Sequence, residues 1–132
     1  MSWKRVKKQI NYADIEAWCD KMDIDDYTIN SQGEIDVEGG VNLSDENFKE
    51  LPYKFGTING YFEIDGCKNL ISLKNCPNYV EGWFSCDDCS NLDSLANCPN
   101  VCDADFYCRR CKRKFTEKEV KSLCKVKRNI IV

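Results

Sequence analysis

The sequence predicts an α/β protein: a short solenoid of stacked turns with a small parallel sheet, flanked by helical segments. The segments GYFEIDGCKNLISLKNCPNYV (60–80) and GWFSCDDCSNLDSLANCPNVC (82–102) align without a gap at an offset of 22 residues. A third copy begins with Phe106, Cys108 and Cys111, each again 22 residues further along. A fixed period of this length is typical of a solenoid, in which each turn buries its apolar face against its neighbours. We expect one domain over 1–132, because this length supports a single core.

Residues 1–40 are predicted to form a helix and a hairpin that cap the start of the solenoid. Asn11 can cap a helix that runs to about Met22. The alternation of apolar and polar residues from Tyr27 to Val37 predicts a hairpin that turns near Gly33. The helix has one apolar face, which comprises Ile15, Trp18, Cys19 and Met22. We expect this face to pack against the solenoid. The alternative is that Trp18 anchors a binding partner.

Residues 41–111 are predicted to form the repeat solenoid, with a degenerate first turn over 41–56. In a complete turn Phe84 and Cys86 should point into the core and Ser85 outward, because side chains alternate along a strand. Leu92 and Leu95 should fill the core below that strand.

Residues 112–132 are predicted to form a C-terminal cap. Thr116 and Glu119 have the spacing of a capping box, which predicts a helix over 116–125. A last strand is expected from Ile130, which lies 22 residues after Cys108 and so would continue the sheet.

The pattern within one turn, F-x-C-x-x-C-x-N-L-x-S-L, resembles the leucine-rich repeat in its variant with cysteine at the ladder asparagine. YTINSQGEIDVEGGVNL, LPYKFGTINGYFEI and FTEKEVKSLCKV are similar to phrases of small leucine-rich-repeat-like proteins common in tailed bacteriophages. The family's usual turn reads G-x-F-x-C-S-x-N-x-L-T-S-L, from which this chain departs by an added residue before the leucine and by the ladder cysteine. The resemblance covers roughly residues 24–132 and implies a phage origin rather than an activity.

Four cysteines have the spacing of a metal site. Cys86, Cys89, Cys108 and Cys111 form C-x2-C-x18-C-x2-C, which is typical of a structural four-cysteine zinc site. The period would place the two pairs in the same columns of successive turns, about 4.8 Å apart. We therefore expect one structural Zn²⁺ per chain. The alternative is core packing, since Cys67 occupies the same column with only Ile64 at its partner position.

The composition argues against catalysis and for a reducing compartment. The chain has ten cysteines and no histidine, so the commonest general base is missing and we do not expect an enzyme. Neither a secretory signal nor an apolar run long enough to span a membrane is evident. The expected location is therefore the cytoplasm, where cysteines rarely form disulfides. We expect a monomer without membrane contact.

Charge is strongly segregated along the chain. Residues 11–105 carry five lysines against twenty Asp or Glu, whereas residues 106–132 carry ten Lys or Arg against two Glu. Such asymmetry concerns partners rather than fold. The residues expected to contact a partner are Asp87, Asp88, Asp93, Arg109 and Arg110.

Two function classes follow from charge and resemblance. The preferred one is a phage-encoded inhibitor that binds a bacterial defence protein in the host cytoplasm. An anti-CRISPR protein directed at a type II RNA-guided nuclease is the specific hypothesis, because that enzyme holds nucleic acid in positively charged channels. The alternative is a nucleic-acid-binding zinc module that uses the basic segment 109–128.

Overall fold

A computed structural model describes residues 9–132 and confirms an α/β solenoid of about four turns with parallel sheets and two helices. The basic stretch at positions 1–8 lies outside the described residues. The helices are α1 (Tyr12–Lys21) and α2 (Glu117–Leu123). The strands are β1 (Tyr27–Ile29), β2 (Ile35–Val37), β3 (Val41–Asn42), β4 (Phe55–Ile58), β5 (Phe62–Glu63), β6 (Tyr79–Val80), β7 (Phe84–Ser85), β8 (Val101–Cys102), β9 (Phe106–Tyr107), β10 (Lys125–Val126) and β11 (Ile130–Ile131).

The strands form two sheets, so the expectation of one small sheet is wrong. One sheet has six strands in the order β1-β2-β4-β6-β8-β10, and the other has five in the order β11-β9-β7-β5-β3. Neighbouring strands are parallel, apart from the antiparallel hairpin of β1 and β2. The chain therefore alternates between the two sheets as it climbs the solenoid.

A column of phenylalanine rings occupies the interior. Phe62 pairs with Phe84 across β5 and β7, and Phe84 pairs with Phe106 across β7 and β9. The ring centroids are 6.1 Å and 5.0 Å apart in these two pairs, and all three side chains are fully buried. Equivalent positions of successive turns thus stack directly, which places any recurring residue in a column along the solenoid.

The chain passes from one sheet to the other at corners where main chains touch. Gly82 N donates to Gly60 O at 2.8 Å, and a Cβ on Gly82 would lie 2.8 Å from the carbonyl carbon of Gly60. A Cβ on Gly60 would likewise lie 2.4 Å from the carbonyl carbon of Gly39. Because the obstructing atoms belong to the main chain, a side chain at these corners would push the turns apart.

A second corner recurs on the other side of each turn, where one residue adopts the left-handed conformation. The φ angles there are 62° at Asp45, 69° at Gly66, 60° at Asp88 and 55° at Arg110. In each turn the chain therefore bends at the same position after its strand in the five-stranded sheet.

The helix and hairpin at the start have the predicted structure. The Asn11 side chain accepts a hydrogen bond from Asp14 N at 3.1 Å and caps α1. Ile15 and Cys19 are buried. The indole of Trp18 lies 5.6 to 6.0 Å, between ring centroids, from Phe48, Tyr53 and Phe55, which confirms the packing role.

The last turn departs from the predicted spacing. Thr116 and Glu119 form the predicted capping box, and α2 ends at Leu123, two residues before the expected end. Ile130 pairs with Phe106 rather than with Cys108, so the last strand continues the sheet but is displaced by two residues. Lys125 pairs with Val101 at the same longer separation, which places the extra residues in the segment that contains α2.

Candidate functional site

Three cysteines form a ladder along the solenoid. The thiols of Cys67, Cys89 and Cys111 donate to main-chain carbonyls of the preceding turn, and the acceptors are Leu43 O at 3.2 Å, Ile64 O at 3.2 Å and Cys86 O at 3.3 Å. Thiols are weak donors that satisfy buried carbonyls while they fill space. The column predicted from the sequence is therefore present, and each of its cysteines has the same kind of partner.

The other two cysteines of the predicted zinc site are buried beside this ladder. Cys86 is fully buried and donates to Tyr107 O at 3.6 Å, and Cys108 is also buried. Interaction with the neighbouring Cys111 sulfur, together with burial, raises the pKa of Cys86. Within residues 9–132 no three Cys, Asp or Glu side chains gather closely enough to hold a metal ion. This arrangement fits packing better than a four-thiolate ion, and the zinc site stays a prediction.

Burial keeps most of the thiols neutral. It raises the pKa of Cys19 to about 11 and that of Cys108 to about 12, because a thiolate loses its hydration inside the core. All ten cysteines are free of disulfides, and nine of them are buried. Cys76, Cys98, Cys102 and Cys124 are among the buried residues. Metal ligation and nucleophilic attack both require the thiolate.

Asp87 is buried, although the sequence predicts it as a residue that contacts a partner. The residue is only 4% exposed to solvent. One carboxylate oxygen accepts from Arg109 N at 2.6 Å, and the other pairs with Arg109 Nη2 at 2.8 Å. Three hydrogen bonds from Arg109 and the charge of its guanidinium compensate for the burial of the carboxylate. Asp87 therefore joins two turns and does not present its charge to a partner.

The remaining predicted partner residues, Asp88, Asp93 and Arg110, also form ion pairs within the protein. Arg110 holds Asp88 in a bidentate pair at 2.5 and 3.0 Å, and this pair lowers the pKa of Asp88. Lys112 Nζ lies 3.9 Å from a carboxylate oxygen of Asp93. The basic segment of one turn thus neutralises the acidic segment of the turn before it.

A depression on the outer face of the five-stranded sheet contains residues that the sequence interpretation missed. Its volume is about 350 Å³, and it is lined by Glu63, Asp65, Trp83, Ser85, Asp87, Tyr107 and Arg109. Trp83 is 39% exposed and stacks on Tyr61 at a centroid distance of 4.7 Å and an angle of 6°. The available signal was the repeat alignment itself, which places the aromatic pair Tyr61 and Trp83 in one column.

Ser85 lies on this outer face, as predicted, but its side chain is buried there. It is 3% exposed, and its hydroxyl donates to Asp65 Oδ1 at 2.5 Å. The same oxygen accepts from Asp87 N at 2.9 Å. Burial raises the pKa of the Asp65 carboxyl above its usual value.

A larger cavity of about 440 Å³ lies between α1, the hairpin and Lys54. The Lys54 ammonium donates to Phe55 O at 2.7 Å, to Cys76 O at 2.6 Å and to Asn78 Oδ1 at 2.8 Å. Desolvation lowers its pKa. With all three donors used inside the protein, Lys54 ties two turns together rather than facing a ligand.

No family model matches the chain, and neither a curated protein nor a solved structure matches it. Neither helix within residues 9–132 is long and apolar enough to cross a membrane.

Proposed function

We propose that this chain is a protein-binding inhibitor that uses its acidic surface to dock on a basic protein. The observation that carries the proposal is a group of carboxylates on one sheet face that form no ion pair within the described residues, although the Arg109 guanidinium, held by Asp87, lines the same depression. Within residues 9–132, no Lys or Arg forms an ion pair with Glu63, Asp65 or Asp105, which lie on or beside the five-stranded sheet. A surface with an excess of one sign of charge steers a partner of the opposite sign and favours its correct orientation.

The pairing inside the chain weighs against the alternative of a nucleic-acid-binding zinc module. Five basic residues lie between positions 109 and 114, and four of them form ion pairs with Asp87, Asp88, Asp93 and Glu119. A side chain held by a carboxylate has less charge to offer a phosphate. The acidic face would in addition repel a nucleic acid.

The sequence resemblance supplies the biological setting of the proposal. A leucine-rich-repeat-like solenoid with turns of 22 residues and a phage origin would act inside an infected bacterium. A type II CRISPR nuclease is the specific target proposed, because its nucleic-acid channel is positively charged. The chain would then be an anti-CRISPR protein that occupies a basic groove of the nuclease.

The test is a cleavage assay with a purified type II nuclease, guide RNA and target DNA, performed with and without this protein. We expect inhibition that weakens as the salt concentration rises, because the contacts are ionic. A mobility-shift assay with DNA and RNA at physiological salt provides the comparison. No inhibition and no nuclease binding would refute the specific target. Tight nucleic-acid binding that disappears in Arg109→Ala/Arg110→Ala would favour the alternative.

A further inference from the structure

The depression on the five-stranded sheet has acceptor groups that the described part of the chain leaves unused. Glu63 Oε1 accepts from Trp83 Nε1 at 2.8 Å, which fixes the indole beside the carboxylate. Within residues 9–132, Glu63 Oε2 and Asp65 Oδ2 accept no hydrogen bond. Two carboxylates therefore offer an oxygen each beside an exposed aromatic ring.

The register of the strands explains the shape of the depression. Glu63, Ser85 and Tyr107 are paired across β5, β7 and β9, so the short serine lies between two longer side chains. Trp83 precedes the middle strand, and Tyr61 supports the indole by stacking on it. Gly40 leaves room for the ring of Tyr61, since a Cβ on Gly40 would lie 2.1 Å from a carbon of that ring. The indole is thus held in place by its surroundings.

The neighbouring residues Asp87, Tyr107 and Arg109 show which chemistry suits an aromatic ring beside a carboxylate. The Arg109 guanidinium pairs with Asp87 and lies 5.5 Å from the centroid of the Tyr107 ring. A guanidinium is planar, stacks on aromatic faces and donates in a fork that matches a carboxylate. Trp83 and Glu63 supply the same two elements, an aromatic ring and a carboxylate, and Arg109, which lines the same depression, is paired with Asp87 rather than with Glu63.

We propose that the depression receives an arginine side chain from a basic segment of the partner protein. The guanidinium stacks on the indole of Trp83 and donates to the unused oxygens of Glu63 and Asp65. This inference rests on the proposed function, because it names the surface and the chemistry by which the partner is bound. Arginine fits better than lysine, since an ammonium group neither stacks nor donates as a fork.

The test uses peptides in place of the unidentified partner segment. Octa-arginine and octa-lysine, both blocked at their termini, are titrated into the full chain by calorimetry at fixed salt. We expect tighter binding of octa-arginine. Trp83→Ala should weaken it about tenfold, because a partly desolvated cation–π contact contributes about 1 to 2 kcal/mol and 1.4 kcal/mol is tenfold in affinity. Trp83→Phe should retain most of the affinity, since it keeps an aromatic face.

Two matched variants separate a specific site from general attraction. Glu63→Gln removes one charge at the depression, and Glu16→Gln removes one charge on α1, which does not line the depression. We expect weaker arginine binding only for Glu63→Gln. Equal effects of the two variants, or no effect of Trp83→Ala, would overturn the inference. Concentration-dependent self-association that Trp83→Ala abolishes would also overturn it, because a second copy would then be the occupant.

Comparison with the nuclease assay distinguishes failure of the inference from failure of the proposed function. If Trp83→Ala inhibits the nuclease as well as the unaltered protein does, the inference is wrong and the proposed function stands. If octa-arginine binding depends on Trp83 while no nuclease is inhibited, the inference stands and the proposed target is wrong.

Discussion

Removal of single ladder thiols decides whether the cysteine columns are packed groups or metal ligands. Cys67 and Cys89 are both fully buried, and each donates to a carbonyl at 3.2 Å. Replacing either with alanine leaves a small cavity and one carbonyl without its weak donor. We expect each change to lower the free energy of unfolding by about 1 to 2 kcal/mol. Because the surroundings are alike, the two values should agree within about 0.5 kcal/mol.

A zinc ion would break this equality. Cys89 belongs to the four-cysteine set and Cys67 does not. A structural zinc site contributes about 10 to 16 kcal/mol of apparent binding free energy, so the loss of one ligand would be severe. Cys89→Ala would then unfold the last turns, whereas Cys67→Ala would still cost only its packing.

Urea unfolding followed by circular dichroism, with and without a chelator, measures the difference. If the columns are packed groups, the two variants have equal midpoints and equal slopes and the chelator has no effect. Elemental analysis of protein purified without added metal provides an independent reading. About one zinc per chain, together with a much larger loss for Cys89→Ala than for Cys67→Ala, would refute the packing argument.

Two further predictions concern the corner glycines and the last helix. Gly82→Ala should lower the free energy of unfolding by about 1 to 3 kcal/mol, because the new Cβ meets the main chain of Gly60 and cannot be accommodated by a rotamer change. An unchanged urea midpoint would contradict the close approach of the two main chains. Hydrogen bonds from Arg113 hold the pKa of Glu119 at about 2, against 4.5 for an unperturbed Glu. A folded-state pKa below the unfolded value stabilises the protein above about pH 4.5, and this stabilisation is lost as the pH falls towards 2. Glu119→Gln should therefore reduce thermal stability at pH 7, and its difference from the unaltered protein should shrink between pH 5 and pH 2. A difference that does not vary with pH would show that the ion pair is not its source.

The repeat alignment predicted the core of the solenoid because stacked turns place equal positions in one column. Phe62, Phe84 and Phe106 were identified in this way and form the central stack. The second sheet escaped prediction because strands such as Tyr79–Val80 and Val101–Cys102 contain only two residues. Two residues cannot display the alternation by which a strand is recognised, and the preceding Cys-Pro-Asn suggested only a turn.

The candidate site was harder to predict because a sequence repeat by itself places like residues at fixed separations, which can imitate the spacing of a metal site. A pair of cysteines that is repeated in the next turn has this spacing automatically, so C-x2-C-x18-C-x2-C arises from packing as readily as from metal binding. Spacing also placed Asp87 and Arg109 in one column without indicating that they pair. Burial of Ser85 depends on the Asp65 carboxylate from the preceding turn, which lies twenty residues away in the chain.

Both corners of the turn recur along the solenoid: the close contact at glycine and the residue in the left-handed conformation. Turns could therefore be added to the solenoid. Each turn contacts only the turns beside it, so a duplicated segment 60–81 would meet the same surfaces that the original meets. One such insertion would add a strand to each sheet and extend the sheet face by about 4.8 Å along the stack. Stability would rise by the interface of one more turn, and a chosen surface motif could be repeated at a fixed spacing. Binding groups could therefore be placed at regular intervals along the fold.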